Sequence, residues 1–401
     1  MTKFKLSNNA RNAMFIGSTC SLSYLAVYFA RNVLGTATPS MIEGGNFTTE
    51  SIGSLSSIFF ITYAVGQLIN GLVGDKIKAR NMMCLGLLMA GVCNLIFALF
   101  PNSMAVSYIS YGMTGFFLSM IYAPMTKLVA ENTEPIHAAR CSLGYTFASF
   151  IGSPMAGIFA MFFAWQGVFY SSSIFLFLMA AATFFVLHLL EKKGIVKYNQ
   201  YFHEKGEGNS VKILIKHDII KFTLISILTG VIRTTVVFWL PTYLSQYLGY
   251  SSEKSALLFT ISSLGISSSA FIAMFIYERI RRNMNVTLII SFAASASSFA
   301  LLYFVKHPII NIVVIVLGII TANCASTMLW SVYCPSLKDT GMVSSATGFL
   351  DFVSYMAASI SSTLFANSVS AIGWSGLILV WFALMLLGTV ICLPFKKKQN
   401  A

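Results

Sequence analysis

Charge is what this chain has least of. Asp, Glu, Lys and Arg together make up 10% of its 401 residues, and only 13 of those residues are acidic. An average soluble domain carries about 25% charged residues, so a soluble globular fold of this size is excluded. Proline is sparse too, at nine. Apolar runs of about 20 residues recur, long enough to cross a bilayer as helices. The strand alternation of an outer-membrane barrel is absent. No GxxxxGK[ST] loop occurs, which excludes a primary pump within this chain. All seven cysteines lie in apolar segments, without metal-ligand spacing and away from any outer loop. They are expected to act as small hydrophobes, with no metal and no cofactor. No nucleophile–base pair stands out, so an enzyme is not expected. The N-terminus, MTKFKLSNNARNAM, lacks a cleavable signal pattern, and the first apolar run is too long for a signal core.

What the chain does have is a basic excess with a pattern. A net charge of +13 could suit nucleic acid, but its placement argues for a membrane. Of the 26 Lys and Arg, all but Lys254, Lys306, Arg31 and Arg233 fall in the two tails, the central linker and alternate loops. By the positive-inside rule this predicts a multi-pass protein of the cell inner (cytoplasmic) membrane with both termini cytoplasmic. The lipid bilayer, not nucleic acid, is then the large partner.

Twelve spans are predicted, near 13–41, 50–74, 81–100, 104–130, 137–163, 167–190, 219–248, 253–278, 285–304, 308–335, 340–370 and 373–395. Residues 191–218, EKKGIVKYNQYFHEKGEGNSVKILIKHD, are polar and Lys-rich. They read as a cytoplasmic linker, with a short amphipathic helix around Val211 to Ile215. The fold class is therefore all-α integral membrane, with two pseudo-symmetric six-helix bundles. The bundles are 1–190 and 219–401. SSLGISSSA (262–270), SSATG (344–348) and AASISS (357–362) supply small residues that let helices approach closely and slide.

Two arginines break the apolar runs. Arg31 lies eight residues before Pro39, and Arg233 eight before Pro241. After each proline come a short loop and a glutamate, Glu50 and Glu253, that opens the next span. A cation inside a bilayer costs roughly 3 kcal/mol on insertion scales. Two at matching places suggest one site built twice.

GLVGDKIKAR (71–80) resembles the loop signature of the major facilitator superfamily: a glycine, then Asp-Arg/Lys, then further basic residues. Gly71, Asp75, Lys76 and Arg80 fit it, and Lys78 stands where a second glycine is usual. Asp75, Lys76, Arg80 and Arg140 are expected to latch the cytoplasmic side, with Lys127 beside them. Within that superfamily, YFARNVLGTATP (28–39), VIRTTVVFWLPTYL (231–244) and ATGFLDFVSYMAAS followed by Gly373-Trp374 resemble the organophosphate:phosphate antiporters. Those carry glycerol 3-phosphate or hexose 6-phosphate. The resemblance implies that Arg31 and Arg233 hold the substrate phosphate, that inorganic phosphate is the exchange partner, and that the protein acts as a monomer. It also has departures. Gln67 stands where a lysine is frequent, and Ser149 where the glycerol-phosphate type has a histidine. Asp351 stands where a small residue is usual. Ala30 replaces the acid typical of the related anion:cation symporters.

Arginine suits phosphate because its planar fork offers two parallel charge-assisted hydrogen bonds and stays protonated. A phosphomonoester carries about −1.5 to −2 at neutral pH, so two arginines roughly balance it. Asp351 could act as an internal counter-ion, carry a proton, or meet an amino or hydroxyl group of the substrate. Helical spacing adds Tyr28 and Tyr24 on the face of Arg31, Tyr63 beside Gln67, Tyr355 beside Asp351 and Tyr145 beside Ser149. Asn323 is a further candidate. The leading reading is a secondary transporter exchanging an organic phosphate or phosphonate for inorganic phosphate by alternating access. A proton-coupled organic-anion symporter using Asp351, and a membrane sensor of a sugar phosphate, are the alternatives.

Overall fold

A computed structural model of the chain describes residues 7–74, 77–198, 215, 217–337 and 343–393. Among these the secondary structure is helical. The chain begins with α1 (Asn8–Glu43), α2 (Thr49–Gly74), α3 (Ala79–Leu99), α4 (Met104–Leu118) and α5 (Tyr122–Asn132). It continues with α6 (Pro135–Phe162), α7 (Trp165–Lys192) and α8 (Ile219–Gly230). A π turn, Val231–Val236, leads into α9 (Val237–Gln246), α10 (Ser252–Ser267), α11 (Ser269–Arg279), α12 (Met284–Phe304) and α13 (Pro308–Met328). A second π turn, Leu329–Tyr333, precedes the short α14 (Cys334–Ser336) and the long α15 (Val343–Cys392).

Ten helical segments among the described residues are long and apolar enough to cross a membrane. One of them, Ala346–Cys392, has 47 residues. At 1.5 Å per residue that is about 70 Å, more than twice the ~30 Å hydrocarbon core. It bends at Gly373, where φ is 67° and ψ 176°, a conformation that glycine alone adopts readily. It is therefore two crossings joined by a kink where the sequence predicts a break. α6, with 28 residues and an apolar stretch at Phe150–Phe162, lies where the remaining span is predicted. Together these account for the twelve predicted spans. Large apolar side chains face outward, Phe162 at 74% exposure and Phe304 at 75%. The chain is a multi-pass membrane protein.

The helices fall into two compact units: Met1–Lys205 with Gly249–Leu264, and Gly206–Leu248 with Gly265–Ala401. In the first, α1 packs on α6 and α7, α3 on α4 and α7, and α2 on α4. Glycine makes the tightest contacts possible. A Cβ at Gly152 would fall 3.0 Å from the backbone nitrogen of Phe29, and one at Gly115 only 2.5 Å from Phe59 O. Lipid gives no apolar driving force between helices, so such close packing supplies the adhesion. Buried polar pairs add to it. Asn94 donates to Ser172 Oγ at 3.2 Å and accepts from Thr114 at 3.2 Å, tying α3, α4 and α7.

The second unit is organised by α15. Three residues on the α8 side, Ser226, Gly230 and Thr235, meet Leu350, Ser354 and Ala358. The steps are four and four along α15, but four and five along the other strand of contacts. The π turn holds one more residue per turn than an α-helix. It absorbs that extra residue and keeps both ridges in register. α12 packs on α13 and α15. Beside them Tyr243 donates to Asn311 Oδ1 at 2.5 Å, both side chains buried. Pro39 and Pro241 lie inside α1 and α9. Glu50 and Glu253 sit in the first turns of α2 and α10, as their spacing predicts.

Candidate functional site

In the first unit the site centres on Arg31. It is half-buried on α1. Its guanidinium carbon lies 5.5 Å from the ring of Tyr28, 5.6 Å from Tyr63 and 5.9 Å from Phe60. All three are within cation–π range. Aromatic faces attract a cation without neutralising its charge. Tyr28 is on the same helix three residues back, while Tyr63 and Phe60 come from α2. Tyr24 joins an aromatic group with Tyr28 at 5.0 Å, Tyr122 at 5.5 Å and Tyr145 at 6.2 Å. Gln67 is half-buried one turn beyond Tyr63. Ser149 lies on α6, and its side chain is outside the described residues.

In the second unit the site centres on Arg233, carried by the first π turn. Single π turns inside α-helices occur frequently at functional sites. Here the turn is tied to α15 by Thr235, which donates to Ala358 O at 3.1 Å, just after Gly230 of α8 meets Ser354, and α15 carries Asp351. Arg233 Nη2 stands 4.0 Å from Asp351 Oδ1. That is an ion pair by distance but too long for a hydrogen bond. Nη2 is sealed from solvent and makes no hydrogen bond among the described residues. The ring of Trp330, on the second π turn, lies 5.8 Å from the guanidinium carbon. Its indole nitrogen donates to Ser326 Oγ at 3.1 Å, which fixes the ring. Asn323, seven residues before Trp330, keeps a buried Oδ1 with no donor among the described residues. Tyr355 is buried one turn past Asp351.

The expected latch residues divide. Asp75, Lys76 and the segment 211–214 lie outside the described residues. Arg80 does form a cluster, though its acid is one that the sequence reading did not select. Its Nη1 donates to Glu191 Oε2 at 2.5 Å and lies 2.8 Å from His188 Nδ1, and its guanidinium carbon sits 5.0 Å from Phe184. Lys78 Nζ donates to the other Glu191 oxygen at 2.8 Å. Glu191 thus ties the start of α3 to the end of α7. The first residues after α7 are docked as well, with Lys197 N donating to Asn132 Oδ1 at 2.6 Å. Arg140 is exposed on α6.

Three residues at the two centres, Phe60, Tyr122 and Trp330, and one at the latch, Glu191, escape a reading by helical spacing. Spacing finds neighbours on one helix, and these come from other helices. Phe60 alone carried a signal, three residues before Tyr63.

The sequence matches the family model described as Major Facilitator Superfamily over residues 20–362. The membrane sensor protein UhpC of Escherichia coli is 23% identical over 434 residues, covering 95% of this chain and 92% of that protein. A glycerol-3-phosphate transporter of Bacillus subtilis is 22% identical over 398 residues, covering 91% and 88%. Among solved structures, a D-xylose–proton symporter matches with a TM-score of 0.75 at 14% identity, over 96% of this chain and 98% of that one. At that identity the likeness is one of fold.

Proposed function

The chain belongs to the Major Facilitator Superfamily, and on that premise we propose that it exchanges an organic phosphate or phosphonate for inorganic phosphate by alternating access. Arg31 and Arg233 hold the phosphate. The observation that carries this reading is Arg233 Nη2, a cationic donor out of solvent with no hydrogen bond among the described residues. A donor sealed from solvent without a hydrogen bond is costly, about 1–3 kcal/mol. A phosphate oxygen supplies the missing acceptor at charge-assisted strength. Arg31, held by three aromatic faces, is the second cation. The glycerol-3-phosphate transporter relative supports the substrate class.

Exchange follows from the charge balance. Without substrate, bringing two cations into a closed site costs repulsion and desolvation. A bound phosphate removes that cost, so the loaded carrier changes conformation and the empty one does not. The orientation with both termini cytoplasmic, in the inner membrane, belongs to the same reading. It rests on the one-sided Lys and Arg distribution. The Arg80–Glu191–Lys78 cluster is assigned a latch role within the first unit.

A second reading is a membrane sensor of a sugar phosphate, supported by the sensor among the relatives. Counterflow separates the two. Purified protein is placed in liposomes preloaded with inorganic phosphate, and labelled phosphate uptake is followed against a panel of organic phosphates, phosphonates and carboxylates. Rapid exchange inhibited by organic phosphates supports the transporter. Saturable binding of organic phosphate without turnover supports the sensor. Carboxylate-driven proton flux that is lost in Asp351→Asn would replace both with proton-coupled symport.

A further inference from the structure

Asp351 is the group that a two-arginine phosphate site does not use, and its position works against a plain phosphate dianion. An oxyanion that takes Arg233 Nη2 comes close to Asp351, whose Oδ1 is 4.0 Å from that nitrogen. Like charges at such range repel strongly away from bulk water. A substrate that carries its own cation removes the conflict. Its ammonium group offsets the Asp351 charge and leaves both arginines to the oxyanion.

A second observation points the same way. Asn323 Oδ1 is a buried acceptor with no donor among the described residues. An ammonium group has three donors and no acceptor, and a donor is what Asn323 Oδ1 lacks. Asn323 shares a helix face with Trp330, two turns on, and Trp330 lies against Arg233. The second unit thus sets an unbonded cationic donor beside a carboxylate, and an unbonded amide oxygen on the helix face that reaches the same arginine.

We propose that the second unit selects a zwitterionic substrate, a short aminoalkyl phosphate or phosphonate. Its phosphorus oxyanion pairs with Arg233, and its ammonium group meets Asp351 and Asn323 Oδ1. The spacer is short because Arg233 and Asp351 stand so close. This inference rests on the reading of the chain as an organophosphate exchanger and narrows its substrate.

The test uses size-matched pairs. Inhibition of labelled phosphate exchange in proteoliposomes is compared for 2-aminoethylphosphonate against ethylphosphonate, and for 3-aminopropylphosphonate against propylphosphonate. The amino member of at least one pair is expected to inhibit at about ten-fold lower concentration, the scale of one charge-assisted contact. In Asp351→Asn that ratio is expected to fall to about one, whatever the absolute exchange rate, and in Asn323→Ala to shrink. Equal inhibition within each pair by the wild type overturns the inference while leaving the exchanger standing. So does a ratio that persists in Asp351→Asn. If the asparagine variant does not fold, the wild-type ratios decide alone. If the wild type exchanges no phosphate, the exchanger reading fails. The inference is then decided by whether the amino probe raises the melting temperature of the detergent-purified protein more than its alkyl partner does.

Discussion

Replacing Gly230 by alanine places a methyl group where there is no room for one. A Cβ there would press on Ser354 Oγ and stand 2.9 Å from Ser354 O and 3.1 Å from Ser354 Cα. The hydroxyl can rotate away, but the carbonyl and Cα cannot. Restoring ordinary contact, 3.4 Å or more, pushes α8 off α15 by about half an ångström. Overpacking of this kind typically costs ~1–3 kcal/mol. At ~2–4 °C per kcal/mol for domains of this size, the thermal midpoint in detergent is expected to fall by roughly 2–12 °C. Adding Ser354→Ala removes the hydroxyl contact and leaves the backbone one, so it recovers less than half of the loss. Gly265→Ala is the control. Its Cβ would meet only Val316 Cγ1, at 3.9 Å, and no loss is expected. The same displacement shifts Arg233 against Asp351, so Gly230→Ala also weakens phosphate inhibition of exchange. A Gly230→Ala midpoint equal to wild type, or full rescue by Ser354→Ala, would refute the backbone contact.

Three further outcomes follow from the geometry. Trp330→Ala removes the ring from Arg233, worth ~0.5–2 kcal/mol for a cation–π contact. It is expected to weaken phosphate binding about 2–30-fold, with Trp330→Phe milder, as read from inhibition constants in the exchange assay. Tyr243→Phe leaves the buried Asn311 Oδ1 without its donor. A stability loss of ~1–3 kcal/mol is expected as a lower thermal midpoint, with substrate selectivity unchanged. Glu191→Gln takes the carboxylate from Lys78 and Arg80. The pairs are partly exposed, so the effect is small. Tryptic cleavage at Lys193, an exposed site just past α7, is expected to speed up roughly 2–5-fold.

Much of the fold was legible because a bilayer restricts the options. Span positions follow from hydropathy, and Glu50 and Glu253 open the helices that their placement predicts. The interruptions were not legible. VIRTTV and LWSVY carry no proline or glycine, yet both form π turns. The first exists to keep Ser226, Gly230 and Thr235 in register with α15, a constraint set by a helix more than a hundred residues away. The kink at Gly373 shows the opposite case: the break between the spans predicted at 340–370 and 373–395 falls at a glycine. At the candidate site, Tyr28 was found from its spacing to Arg31. Phe60 and Trp330 were not selected, because their partners lie on other helices. Asp351 stood out as an acid in an apolar span, but its pairing with Arg233 joins residues more than a hundred positions apart.

The central claim is that Arg31 and Arg233 act on one phosphate through their paired N–H groups. The most direct measurement is phosphate counterflow in proteoliposomes by wild type, Arg31→Lys, Arg233→Lys and the double variant. Lysine keeps the charge and loses the fork. Each single variant is expected to lose about 10–150-fold in apparent affinity, the equivalent of ~1.5–3 kcal/mol for a charge-assisted bond. The double variant is expected to lose less than the product of the two, since both act on one ligand. Wild-type counterflow that either lysine variant matches would contradict the account.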